Sequence, residues 1–331
     1  MKKQLLKTIF NYGGFTPFHW ANRSKLLILT YHRFSRGEDA SKVSASDFES
    51  HLQYLSLHNT VLSLAEAVES LKNGTSLPPN ATVITIDDGY GDAYEIAFPK
   101  LKKYGFPATV YAITDFVDQK IWLWTDLMRY VMAKTGDSEV SFDFGSGDIV
   151  RATLIDDAKR LETANRINER LKKMPNEQKD AKIVVIARQL NVELPSVPPP
   201  EFAAMTWDQA RELDADGVRI ESHTVTHPIL TNVNQAELDF ELRTAKARLE
   251  EQLGRSVEHF CYPNGSLNEN VRQAAEAAGY ASAVTTAYGF NDGGNDKLLL
   301  NRIDAQSAIE SFAQSASGFE AVKQRVFSAR A

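Results

Sequence analysis

Short strand-like runs alternate with helix-patterned stretches along most of this chain, and that alternation restricts its fold more than any other feature. Residues 25–31, 81–86, 108–113, 218–221, 259–262, 281–285 and 298–302 read as strands. The early runs are nearly continuous in apolar side chains, as strands buried on both faces must be. Between them lie segments with helical spacing and marked ends. Phe48, Leu52 and Leu55 share a face within 46–58, Ser63 and Glu66 form a capping box, and that helix ends at Asn73-Gly74. Thr206 and Gln209 form a second box, while Gly105, Gly254 and Gly279 stop later helices. Such alternation implies parallel strands, and seven or eight of them imply an α/β fold of irregular (β/α)7-8 barrel type. No G-x-G-x-x-G or Walker loop follows an early strand, which argues against a doubly wound open sheet.

Residues of about 120–200 break the pattern. A helix is expected over 122–135, and 141–154 alternates like a hairpin around Gly145-Ser146-Gly147. Two charged helices follow near 156–173 and 176–190, split by Pro175, and Pro198-Pro199-Pro200 closes the stretch as a stiff connector. This stretch is read as an insertion, serving either as a substrate wall or lid or as a structural addition. The predicted organisation is an N-terminal segment, 1–24, and a barrel, 25–331, that carries the insertion.

A net charge of −6 argues against nucleic acid as a partner, because a phosphate backbone demands a basic face. No apolar run reaches the roughly 18 residues of a membrane-spanning helix. The first ten residues imitate a signal peptide only briefly, since Lys7 interrupts them and no small-x-small cleavage site follows; a cytoplasmic protein is expected. Phe15, Phe18 and Trp20 fit a short docked helix, the favoured reading, or a peripheral contact with a membrane surface. Cys261 is the sole cysteine, which excludes an internal disulfide and a thiolate metal cluster.

The chemistry lies at strand ends. His32 follows the first run, Asp87-Asp88-Gly89 the second, His223 with His227 a later one, and Asn264-Gly265 the one after that. In a parallel barrel these ends share one rim, where catalytic groups collect. Two imidazoles, one carboxylate ligand and a spare carboxylate to move protons are what a divalent ion needs for hydrolysis. Alone, Asp-Asp-Gly is usually a solvated turn, and His-x-x-x-His is more often structural than ligating. Their conjunction at strand ends favours the metal reading. Thr224 after His223 excludes H-E-x-x-H chemistry. His19, His51 and His58 read as structural, Cys261, which shares a strand face with His259, as buried and inert, and Trp122, Trp124 and Trp207 as packing residues or, alternatively, platforms for sugar rings.

Thr85-Ile86-Asp87-Asp88-Gly89 resembles the T-F-D-D-G motif of NodB-type polysaccharide deacetylases (carbohydrate esterase family four), with isoleucine for phenylalanine. His223-Thr224-Val225-Thr226-His227 is similar to the H-[S/T]-x-x-H motif of that family. The resemblance spans about 25–115 and 205–305. It implies Asp88, His223 and His227 as metal ligands and Asp87 as catalytic base, with zinc, or alternatively cobalt, nickel or manganese, as the ion. It also implies a backbone N–H near Tyr262 as oxyanion donor, within a stretch that includes Asn264. Two departures stand out. The R-x-P-Y arginine is missing from His259–Gly265, which instead resembles an F-x-Y-P-x-G variant, and Arg302 after a late strand is the candidate substitute. The late L-x-H histidine is missing as well. His32 resembles the first-strand histidine of the biofilm poly-N-acetylglucosamine deacetylases and is the candidate general acid. The predicted function is metal-dependent removal of N-acetyl groups from a glycan. The rivals are an amidase on a non-sugar amide or imide, and a carbohydrate-binding pseudoenzyme.

Overall fold

A computed structural model describes residues 13–320. Seven parallel strands form a closed ring: β1 (Leu27–Tyr31), β2 (Ala81–Ile86), β3 (Ala108–Ala112), β4 (Val218–Ser222), β5 (His259–Cys261), β6 (Ser282–Tyr288) and β7 (Leu300–Asp304). Each strand pairs with its neighbour in sequence, and β1 closes the ring by pairing with both β2 and β7. All residues of β1, β2 and β3 are buried, which explains their unbroken apolar character. The ring is uneven, because β4 meets β5 through one register pair and the β6–β7 register shifts between Val284 and Tyr288. An eighth parallel strand, Thr60–Val61, pairs only with the start of β2 and stays outside the ring. The closed barrel therefore has seven strands.

Helices cover the ring. The capping boxes at Ser63/Glu66 and Thr206/Gln209 both form, and they open helices Leu64–Asn73 and Trp207–Ala215. Leu64, Val68 and Leu71 of the first pack with Ile28, Val83, Tyr111, Cys261, Val284 and Leu300 of the strands. The helix that Gly105 stops opens as a π-helical turn, Ala93–Ala97, before Phe98–Tyr104. Pro99 has no N–H to offer the carbonyl four residues back, so the ladder shifts register there. After β7 a helix spans Ile309–Ala316 and stops at Ser317 and Gly318, the latter at φ +77°. At the other end, Thr16–Asn22 is a short helix. Phe15 before it is buried and Phe18 meets Phe319 edge-on, while residues 1–12 of the expected N-terminal segment lie outside the described part.

The 120–200 stretch contains the helix Trp124–Lys134, an antiparallel hairpin (Glu139–Asp143 with Ile149–Thr153), and the helices Asp157–Leu171 and Asn176–Gln189. The first helix starts two residues later than its sequence suggests, since Leu123 is extended. These elements pack on one another around Met128, Val131, Phe142, Val150, Ile167 and Ile186, and Ile229 is the one fully buried residue from outside that joins them. Among the described residues, no helix is long and apolar enough to cross a membrane.

Candidate active site

The turn after β2 holds the two carboxylates. Asp87 N–H donates to the Tyr31 carbonyl of β1 at 2.9 Å, and the chain then enters positive φ at Asp88 (75°) and Gly89 (85°). A Cβ at Gly89 would stand 3.3 Å from Ala112 Cα of β3, so glycine is what lets the turn press against the barrel. Asp87 is buried and faces Arg302, whose Nη1 and Nη2 reach Oδ1 and Oδ2 at 2.7 Å each. Burial pushes the Asp87 carboxyl up, but the guanidinium outweighs it and holds the group below the usual carboxylate range. Arg302 is fixed in turn by the Thr285 carbonyl at 2.9 Å and lies 3.1 Å from Cys261 Sγ. It sits in the middle of β7 rather than after its end, because that strand begins two residues later than the sequence pattern implies.

On the other side of the turn, Asp88 Oδ1 lies 3.6 Å from His223 Nε2 and 3.8 Å from His227 Nε2. One donor atom from each of the three falls within 4.8 Å of the others. His223 Nδ1 donates to the Cys261 carbonyl at 2.8 Å, since a carbonyl can only accept, and this turns Nε2 towards Asp88. Burial lowers the His223 pKa, but Cys261 and the Asp88 and Asp87 carboxylates outweigh burial and hold it well above the ordinary imidazole value. Burial, reinforced by His223, lowers the His227 pKa to about 3, which keeps that imidazole neutral and able to ligate. Burial pushes the Asp88 carboxyl up, but its contact with His223, with smaller contributions from the other nearby histidines, outweighs it and holds the group below the usual carboxylate range. Asp88, Thr224 and His227 all occupy positive φ, a strain that clusters at functional sites. Two imidazoles that present Nε2 and one carboxylate, their donor atoms all within 4.8 Å of one another, fit a divalent cation, which would take the place of a proton between His223 and Asp88.

The remaining candidates fall on the wall of the same cavity, of about 330 Å³, with Asp87, Asp88, His223, His227 and Arg302. His32 is 53% exposed with Nε2 3.7 Å from Asp87 Oδ2, a contact longer than a hydrogen bond. Tyr262 lines the cavity, and its own N–H donates to the Val284 carbonyl at 3.2 Å in the β5–β6 ladder. Asn264 faces the cavity from the turn Pro263–Gly265 at φ 54°. None of the three tryptophans lines this cavity. Trp124 is buried in the 120–200 core, Trp207 donates to Asp118 at 2.7 Å, and Trp122 stacks on Phe202. His259 donates to or accepts from Ser282, while His19 and His51 meet the hydroxyls of Tyr54 and Tyr31.

Sequence reasoning missed Glu241. Its buried carboxylate accepts from Val225 N–H, Thr226 N–H and Thr226 Oγ1 at 2.8, 2.9 and 2.6 Å, bracing the loop between the two histidines. The signal was present, for Glu241 occupies the apolar stripe Leu238, Leu242, Ala245 and Leu249 of the helix Gln235–Leu253. Also missed was a link from the catalytic turn to the 120–200 stretch. Tyr90 Oη donates to buried Asp126 at 2.6 Å, Arg129 reaches that carboxylate at 3.3 Å, and Arg33 covers the Tyr90 ring.

Comparison with known proteins agrees with this geometry. Residues 74–283 match the family model for polysaccharide deacetylase. The Bacillus subtilis protein YxkH, provisionally named a polysaccharide deacetylase, is 24% identical over 283 residues, covering 85% of this chain and 71% of its own. The Staphylococcus aureus poly-β-1,6-N-acetyl-D-glucosamine N-deacetylase is 33% identical over 106 residues, 31% of this chain and 36% of its own. The fold is shared with the Streptococcus pyogenes deacetylase PplD, solved in complex with acetate, at a TM-score of 0.60 and 22% identity over 89% of this chain and 99% of that one. The catalytic turn, the histidine pair and the seven-stranded ring thus have one explanation: the chain belongs to the polysaccharide deacetylase family.

Proposed function

We propose that this chain is a divalent-metal-dependent N-deacetylase that removes acetyl groups from an N-acetylated sugar or polysaccharide, with zinc as the ion. The observation that supports the reading is the convergence of Asp88, His223 and His227 beside a second carboxylate, Asp87, gripped by Arg302. The donor set suits zinc, and also cobalt, nickel or manganese. Three protein ligands with room beside them are the arrangement of a catalytic rather than a structural site. When bound, such an ion polarises a carbonyl oxygen and makes water a nucleophile at neutral pH.

Asp87, ionised and oriented by Arg302, accepts the proton of the water that adds to the acetamide carbon. His32, at the open side of the cavity and within 3.7 Å of Asp87, gives a proton to the sugar nitrogen as the C–N bond breaks. Acetate and the free amine leave. The staphylococcal relative named above supports a glucosamine polymer as the substrate class.

The test is acetate release from N-acetylglucosamine oligomers and from small amides. Asp87→Asn is expected to lower the rate on the oligomers by about 10²–10⁴-fold, with zinc content by elemental analysis unchanged. Equal rates in wild type and variant would end the role of Asp87. Hydrolysis of the small amides alone would end the carbohydrate assignment.

A further inference from the structure

We infer that the substrate carries an anionic group, a carboxylate or a phosphate, beside its acetamido sugar, and that Arg129 and Lys172 bind it. This inference rests on the deacetylase reading and names the kind of glycan. The catalytic cavity has four cationic side chains on its wall, Arg33, Arg129, Lys172 and Arg302, against the two carboxylates Asp87 and Asp88, in a protein whose net charge is −6. Two of the cations are spoken for, Arg302 by Asp87 and Arg33 by Asp92 at 2.7 Å.

The other two come from the 120–200 stretch and are loosely held. Arg129 Nη1 touches Asp126 Oδ1 at 3.3 Å while Tyr90 holds the other oxygen, Oδ2, and the buried Arg129 Nε has no hydrogen-bond partner among the described residues. Lys172 meets only Glu169, three residues away on a solvent-facing helix end. Exposed pairs of that kind contribute little, so the ammonium can turn to a ligand without loss. Arg129 also lies on the wall of an adjoining cavity of about 500 Å³, where Glu38, Asp39, Asp157 and Glu201 outnumber the cations, so the anion is placed on the catalytic side of Arg129, towards Lys172, and not in that neighbouring space. A guanidinium with open N–H groups on a partly enclosed wall matches the paired oxygens of a carboxylate or phosphate and discriminates against neutral hydroxyls.

The experiment compares the metal-loaded full chain, Arg129→Gln, Arg129→Lys and Lys172→Gln on three matched compounds. These are a neutral N-acetylglucosamine oligomer, an oligomer containing an N-acetylated aminouronic acid, and N-acetylglucosamine 1-phosphate. Wild type is expected to favour one acidic compound, which identifies carboxylate or phosphate as the source. The acidic-to-neutral ratio of kcat/KM is expected to fall about tenfold in Arg129→Gln and severalfold in Lys172→Gln, chiefly through KM, with partial recovery in Arg129→Lys. Raising the salt from 0.05 to about 0.5 M should erode the wild-type preference. Calorimetric binding of the same compounds to Asp87→Asn reads the anion site without turnover, so a failed hydrolysis assay leaves this test standing. Lys172→Gln changes an exposed pair and guards against misfolding at Arg129. Equal binding of neutral and acidic compounds by wild type, or an unchanged ratio in both glutamine variants, would overturn the inference.

Discussion

Arg302 and Asp87 form a fully buried, two-point ion pair between residues 215 positions apart. Nothing but the barrel brings them together. Asp87 follows β2, Arg302 belongs to β7, and β1 lies between them, pairing with both strands.

Removing one member of such a pair should separate stability from catalysis. Arg302→Met leaves an uncompensated buried carboxylate, which costs about 3–5 kcal/mol and is read as a lower melting temperature. Its kcat should fall with that of Asp87→Asn. Combining Arg302→Met with Asp87→Asn should return much of the lost stability, because no buried charge is left alone, while activity stays absent. If the double variant melts no higher than Arg302→Met, the pair is not what sets the stability of this site.

Glu241 should act on metal affinity without touching the metal. Glu241→Ala deprives two backbone N–H groups and a hydroxyl of their acceptor and frees the loop between His223 and His227. The zinc dissociation constant, measured by competition with a chelating dye, is expected to rise about 10–100-fold. Glu241→Gln keeps one acceptor oxygen and should fall between wild type and alanine. Unaltered zinc affinity in Glu241→Ala would remove Glu241 from this role.

His51 makes stability pH-dependent. It stacks on Phe312 with ring centroids 3.9 Å apart and bonds the Ser307 carbonyl and the Tyr31 hydroxyl. Burial lowers its pKa from the usual 6.5 to about 4. The unfolded chain therefore takes up a proton more readily than the folded one, and the contribution of His51, complete above pH 6.5, is lost as pH falls towards 4. The loss is on the order of 3 kcal/mol. His51→Gln retains a donor and an acceptor but cannot be protonated, so its melting temperature should fall less steeply over that window. Parallel curves for wild type and variant would refute the assignment.

Much of the barrel could be read from the chain because its signals are local. Capping boxes, stop glycines and unbroken apolar runs act over a few residues, and the elements they mark at Ser63, Thr206 and β1–β3 formed where expected. The carboxylates and histidines were legible because each follows a strand directly. What depends on partners distant in sequence was not legible. The start of β7 is set by its neighbours on the ring, which moved Arg302 from beyond a strand to its middle. Likewise, the Tyr262 N–H finds its acceptor only in the β5–β6 ladder. Glu241 was concealed differently, for a carboxylate within an apolar stripe signals a buried acceptor only once its donors are known.

The ring closes only when β7 docks between β6 and β1, and that same strand delivers the guanidinium that holds Asp87. The Asp87–Arg302 pair therefore cannot form until that strand is in place. Closure of this kind makes the geometry around Asp87 depend on the most non-local contact of the ring, the kind that forms slowly in folding.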